Sequence, residues 1–330
     1  MRALRFDRYG PPDVLHVDEV PEPVPGEGDA KVRVHAVALN PLDAKVRAGD
    51  LRLLPIMRGP PRGLGCDFAG EVVAVGGGAG ARYPGERVFG SLLPFGREGA
   101  LAQFIVVSFA RLLPIPDGVE DAHAAALPIA GGTALQALTE DAPLRAGQRV
   151  LITGAAGGVG HFAVQIAREL GAYVVGVCSA ANVDFVRALG ADEVIDYARE
   201  DFTQRSDRFD IVFDAAGASS FRAARRVLTD TGRYINTLGD AAAVVATGVG
   251  AALARITSRQ RAIPFMLRNQ PPTWQRLIDR VRTGALRVHV ERMIALEEVA
   301  GAQRQAGHAR GKLIVRVNHE AGSDPGPTPV

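Results

Sequence analysis

The sequence predicts an α/β protein in two parts: a compact, β barrel-like unit, followed by a doubly wound parallel sheet. Three observations lead there. At 330 residues the chain exceeds the roughly 250–300 at which a single core stops growing. Its first 120 or so residues read as short alternating segments between Pro/Gly turns. After about residue 123, strand-like and helix-like runs alternate at intervals of roughly 20 residues.

Taken in order, "PEPVPGEG" at 21–28 is a loop, because proline removes ladder donors and glycine ends the run. "AKVRVHAVAL" alternates, with Val32, Val34 and Ala36 on one face and Arg33 and His35 on the other. "GEVVAVGGG", "ERVFG" and "QFIVV" are further strands. In the second part "RVLI" at 149–152 reads as a buried strand. "HFAVQIAREL" puts Phe162, Ala163, Ile166, Ala167 and Leu170 on one helical stripe, closed by Gly171. "AYVVGVC", "EVIDY", "FDIVFDAAG" and "GRYINTLG" are strands, with "DFVRALG" and "SSFRAARRVL" as helices among them. "LRVHV" at 286–290 and "KLIVRV" at 312–317 are strand candidates, and the tail from Glu320 has a disordered composition.

Composition narrows the function. The apolar fraction of 47% and net charge of +2 are ordinary for a soluble globular protein and give no reason to expect a nucleic-acid or membrane partner. The Ala/Gly-rich stretch 241–256 is too short and broken to span a bilayer. Cys66 and Cys178 are too few for a disulfide framework, and no signal peptide is visible, so the expected setting is the reducing cytoplasm.

The most informative run is "TGAAGGVG", Thr153 to Gly160, between the first strand and first helix of the second part. Helix N–H groups and the macrodipole make an anion site there, and glycines let a pyrophosphate approach the backbone. Gly154, Ala155, Ala156, Gly157, Gly158, Val159 and Gly160 are therefore the predicted phosphate loop, with Ala155 where the usual fingerprint begins with Gly. The next strand ends "GVCSAAN", Gly176 to Asn182, without the carboxylate that bonds the ribose 2′-OH of NADH. The expected cofactor is NADPH, with Ser179 and Tyr197 as neutral partners for its 2′-phosphate. Ser179 also reads as a helix N-cap. The usual Arg or Lys is missing, since Ala180 and Ala181 occupy its positions.

The chain resembles the zinc-independent medium-chain dehydrogenase/reductases, the quinone oxidoreductase group, from about Arg2 to Val317. The resemblance rests on "NPLDAKVRAG", "GCDFAGEVVAVG", "GERVFG", "ALPIAGGTALQAL", "VLITGAAGGVGHFAVQIARELGA", "VDFVRALGADEVIDY", "FDAAG" and "GHARGKLIV", in that order. It implies a GroES-like barrel-type catalytic domain split around a Rossmann domain: 1–122 and 266–317 catalytic, 123–265 dinucleotide-binding, 318–330 a tail. It also implies NADPH dependence and a homodimer. Zinc-dependent relatives have Gly-His-Glu where this chain has Gly65-Cys66-Asp67. A catalytic zinc needs about three protein ligands, and His35, His123 and His161 stand isolated in sequence, so no metal is expected.

Asn40 inherits from the family a place beside the nicotinamide. Lys45 is read either as oxyanion partner and proton donor or as a solvated helix lysine. Asp43 is a catalytic candidate that also suits a local cap. Thr133 resembles a family threonine near the nicotinamide, in the loop before the cofactor fold. Lys312 is read as approaching the cofactor phosphates or as a surface strand lysine. The expected reaction is hydride transfer from NADPH to a quinone or an α,β-unsaturated carbonyl. Alternatives are an enoyl reductase acting on a thioester or polyketide-type intermediate, for which the Arg-rich stretches 255–261 and 276–282 suggest a basic entrance, and a non-catalytic NADPH-binding protein.

Overall fold

The computed structural model describes residues 1–77, 83–237, 259–304 and 309–318. The stretch 241–256 and the tail from 319 onward, about which the sequence raised expectations, lie outside them. Among the described residues no helix is long and apolar enough to cross a membrane.

The chain forms two compact units. The first comprises Met1–Ala126, Arg292–Ala306 and Leu313–Val330. In it β1 (Arg2–Phe6) pairs with β2 (His16–Glu19) and β4 (Arg62–Gly63). A larger sheet contains β3 (Asp29–Ala38), β5 (Asp67–Val75), β6 (Arg87–Ser91), β7 (Phe104–Ser108) and β8 (Leu112–Pro114). The late strands β15 (Val290–Ala295) and β16 (Lys312–Arg316) complete it in the order β15-β16-β3-β5-β6-β8, with β7 on β3. The alternation read in β3 holds: Val32, Val34 and Ala36 are buried, while Arg33 and His35 are half-buried. Val32 and Val34 join Phe68, Val72, Val88, Leu101 and Ile105 in one core. His35 is held by Asp121, 2.7 Å from Nδ1 to Oδ2.

The second unit comprises Leu127–Glu291 and Gly307–Lys312. Its sheet runs β11 (Glu193–Asp196), β10 (Tyr173–Cys178), β9 (Arg149–Thr153), β12 (Phe209–Asp214), β13 (Leu228–Asn236), β14 (Arg261–Pro264). Every neighbouring pair is parallel, so the sheet is doubly wound and its order reverses between β9 and β12. Leu151, Val175, Ile195, Val212 and Tyr234 pack into the core on one side.

Three expectations need correction. Residues 266–291 belong with the second unit and not with the barrel. The helix Pro271–Arg282 carries Trp274, Leu277 and Ile278 on one stripe, all fully buried, and Leu277 packs 3.1 Å from the space above Gly131. "LRVHV" is not a strand up to Val290. The Arg287 N–H and C=O bond the side-chain amide of Gln165 at 2.8 and 2.9 Å, and the His289 carbonyl accepts from Lys312 N at 2.9 Å. The helix in "SSFRAARRVL" covers only Phe221–Ala224, because the Val227 carbonyl is drawn to Phe209 N at 2.7 Å. The arginines at 276 and 280 face carboxylates, Glu140 and Glu169, which gives that charged run a structural use.

At the point where strand order reverses, the fully buried Asp214 carboxylate ties three strand ends together. It accepts from the Thr153 hydroxyl, from Ala218 N at 3.0 Å, from Ser219 N at 2.9 Å, and lies 2.9 Å from the Tyr234 hydroxyl. Burial and then the nearby carboxylate raise the pKa of Tyr234 above its ordinary value. Tyr234→Phe removes one of these bonds and leaves Asp214 partly unmet. Unfolding in urea should show a loss of about 1–3 kcal/mol; a midpoint equal to the parent's would show that Asp214 does not need the phenol.

Candidate functional site

The second unit holds the predicted phosphate loop where the sequence placed it. β9 ends at Thr153, and the helix Gly160–Glu169 begins seven residues on. Gly154 turns the chain with φ +59°, and a Cβ there would sit 2.9 Å from the Ala216 Cβ. A Cβ on Gly160 would lie 2.0 Å from the Gly154 carbonyl oxygen, so only glycine closes this turn. Ala155, the departure from the fingerprint, is fully buried, and its methyl faces the bare Cα of Gly176 on the next strand. Its N–H bonds the Val177 carbonyl at 3.0 Å. The alanine is accommodated because the glycine has moved to the neighbouring strand.

Gly157 and Gly158 differ from the closing glycines. A Cβ on Gly157 would meet only the Gly154 carbonyl oxygen, at 3.3 Å. A Cβ on Gly158 would come 3.2 Å from Cδ of Lys312. This is a cradle that side chains would fill, at a helix N-terminus, with a cation beside it: the donor set and shape of a phosphate site. Lys312 is 3% exposed, which corrects its reading as a surface lysine. Its segment is fixed to the loop by Gly311 N donating to the Ala156 carbonyl at 2.8 Å. His161 is fully buried in the first turn of the helix, its Nδ1 3.0 Å from the Gly157 carbonyl. Burial above all holds its pKa down at about 3, so the imidazole is neutral.

At the end of β10, Ser179 caps no helix through its side chain. Its Oγ accepts instead from Asn182 Nδ2 at 3.2 Å. Tyr197 is 59% exposed beside it, its N–H on the Cys178 carbonyl at 3.1 Å. A cation from a distant segment reaches this turn. Arg310 Nε donates to Asn182 Oδ1 at 2.9 Å and Nη2 to the Ala181 carbonyl at 3.0 Å. No local spacing signals a partner so far along the chain as the arginine of "GHARGKLIV". Thr133 lies not in a loop but in the helix Gly132–Gln136, and is buried.

The first unit holds the remaining residues. Asn40 precedes the helix Pro41–Ala48 in extended conformation, with proline at the first position and Gly49 left-handed at the end. The Asp43 carboxylate accepts from Asn40 N at 2.7 Å, so Asp43 has the local capping role. Asn40 Nδ2 donates to the Ala38 carbonyl at 3.2 Å and to Asp67 Oδ2 at 3.0 Å, which locks the amide. Lys45 is half-buried on the same helix. Cys66 is buried; burial first, then the charges of Asp43 and Asp67, hold its thiol well above the ordinary range, and it stays protonated. Among the described residues no group of three His, Cys, Asp or Glu side chains is placed to hold a metal ion.

The chain matches two family models: the alcohol dehydrogenase GroES-like domain over residues 26–117 and a zinc-binding dehydrogenase domain over 189–315. It is 34% identical to a chloroplast envelope quinone oxidoreductase homolog of Arabidopsis thaliana, over 96% of this chain and 98% of the relative. It is 30% identical to a mitochondrial NAD(P)H oxidoreductase of Mus musculus, over 96% and 89%. The solved quinone oxidoreductase of Coxiella burnetii superposes with a TM-score of 0.86 at 32% identity, covering 96% of this chain and 99% of that one.

The cradle makes a direct prediction. Gly157→Asp crowds the Gly154 carbonyl oxygen slightly and sets a negative charge against the predicted phosphate position. NADPH affinity measured by calorimetry should fall at least about tenfold, the equivalent of ~1.4 kcal/mol of charge repulsion, with the melting temperature close to the parent's. Unchanged affinity would remove the loop from the cofactor site.

Proposed function

This chain belongs to the zinc-independent, quinone oxidoreductase-like medium-chain dehydrogenase/reductases and is an NAD(P)H oxidoreductase of that type; we propose that it uses NADPH to reduce a quinone or an α,β-unsaturated carbonyl without zinc. The observation that carries the reading is the glycine cradle at Gly157 and Gly158 with the buried Lys312 against it. Two others support it. No carboxylate stands from Gly176 to Asn182 to repel a 2′-phosphate. Asp67, beside Cys66, is engaged by the Asn40 amide, and among the described residues no group of three His, Cys, Asp or Glu side chains is placed to hold a metal ion. Both cysteines are free and buried, which suits a reducing compartment, and we place the protein in the cytoplasm.

The dihydronicotinamide, when bound, supplies hydride. The chain's own residues supply binding and charge. Loop amides and Lys312 meet the diphosphate, and Ser179 and Tyr197 bond the adenosine ribose. Asn40, its amide fixed by Asp67 and Ala38, orients the nicotinamide end. As the substrate takes hydride, negative charge gathers on its carbonyl oxygen; the Lys45 ammonium meets that charge and hands over a proton. Asp43 holds the helix that presents both residues.

The test is NADPH oxidation, followed by absorbance, against quinones, enones and enoyl thioesters. Quinones and enones should turn over. Tight NADPH binding with no turnover on any of the three would favour a non-catalytic role, and turnover confined to thioesters would reassign the substrate. Lys45→Met should lower kcat on the best substrate by roughly 10²–10⁴-fold with NADPH affinity intact. An unaltered kcat would remove Lys45 from the chemistry.

A further inference from the structure

The cofactor preference proposed above lacks a charged reader in the local sequence, and the fold brings one in. We infer that Arg310 is the residue that selects NADPH over NADH, as the cation for the ribose 2′-phosphate. The inference rests on the NADPH reading of the glycine loop.

Four observations place it. The guanidinium sits at the end of β10, bonded to Asn182 and Ala181, the same short turn in which the ribose-reading residue of this fold stands. Asn182 joins it to Ser179, since its Oδ1 accepts from Arg310 and its Nδ2 donates to Ser179 Oγ. Ser179 and Arg310 are thereby held in one hydrogen-bonded chain. The guanidinium also lies 5.3 Å from the ring centroid of Phe185, whose other neighbour is His289, ring to ring at 4.7 Å. Among the described residues no carboxylate ion-pairs with it; Glu291 accepts only from its backbone N–H, at 3.2 Å. A half-buried arginine held by a carbonyl, an amide and an aromatic face keeps its charge uncompensated.

Its backbone is placed as firmly. Gly311 has φ +75°, and a Cβ there would lie 2.2 Å from the His289 carbonyl oxygen. Gly311 and Lys312 bond Ala156 and His289 through their N–H groups. Two cations two positions apart thus serve two phosphates: Lys312 at the glycine cradle and Arg310 at the ribose. An arginine fork suits a terminal phosphate, with three acceptor oxygens, better than a ribose hydroxyl. An arginine at position 181 would therefore stand beside an existing cation, not fill a vacancy.

The experiment compares adenosine 2′,5′-bisphosphate with adenosine 5′-monophosphate, and NADPH with NADH, by calorimetry on the parent, Arg310→Gln and Arg310→Lys. The parent should prefer the 2′-phosphorylated member of each pair. Arg310→Gln should lower affinity for those two ligands about tenfold or more, the loss of one charge-assisted bond, and leave the monophosphate and NADH nearly unchanged. Arg310→Lys, which keeps charge without the fork, should fall between; it also serves if the glutamine variant melts early. A parent that prefers the 2′-phosphate while both variants bind as it does would overturn the role of Arg310 and leave the NADPH reading standing. A parent with no such preference would overturn the NADPH reading and this inference together. Equal losses for all four ligands would also overturn it, as damage to the whole pocket.

Discussion

A buried carboxylate is the constraint on which the cofactor unit rests. Asp214 sits with no solvent at the place where the sheet changes direction, and its oxygens collect two backbone N–H groups from the following turn and two hydroxyls from the strands on either side, β9 and β13. A buried acceptor left unmet costs about 1–3 kcal/mol, so the four donors must arrive together. Thr153 is one of them, and the next residue, Gly154, has its Cα under Ala216. The start of the glycine loop is therefore set by Asp214. The close approach of Gly160 to the Gly154 carbonyl sets its end.

This explains what could be read from the chain and what could not. The strand–helix alternation was legible because it depends on local period; the β3 face came out as read, and on the helix Phe162, Ala163, Ile166 and Ala167 are buried while Leu170 is the half-buried cap. The glycine loop was legible because turn and cradle are made by neighbours in sequence. "LRVHV" misled because a strand pattern does not say whether backbone partners will be another strand or, as happened, the amide of Gln165. The boundary near 266 misled because Leu277 packs against Gly131, more than a hundred residues earlier. Arg310 was invisible for the same reason: its meaning depends entirely on which turn it reaches.

In the first unit, buried polar groups brace the helix that carries Asn40 and Lys45. Where zinc-dependent relatives carry histidine and glutamate, Cys66 and Asp67 are buried, and Asp67 is engaged with the Asn40 amide. Asp43 raises the thiol pKa of Cys66 and caps the helix of Asn40 and Lys45 in the same geometry. Asp43 and Asp67 hold the backbone N–H and the amide of Asn40, and burial keeps the neighbouring sulfur protonated.

The second unit is not one stretch of chain: it is Leu127–Glu291 plus a hexapeptide, Gly307–Lys312, embedded between two pieces of the first. That hexapeptide contains Arg310 and Lys312, the two cations assigned above to the cofactor's phosphates. A gene fragment cut at Glu291 would encode the sheet and the glycine loop while leaving its positive charge behind. Recombination between relatives faces the same problem. An exchange of the central segment alone would pair one parent's glycine loop with the other parent's Arg310 and Lys312, and under the assignment proposed above cofactor choice would then draw on two separate places in the reading frame.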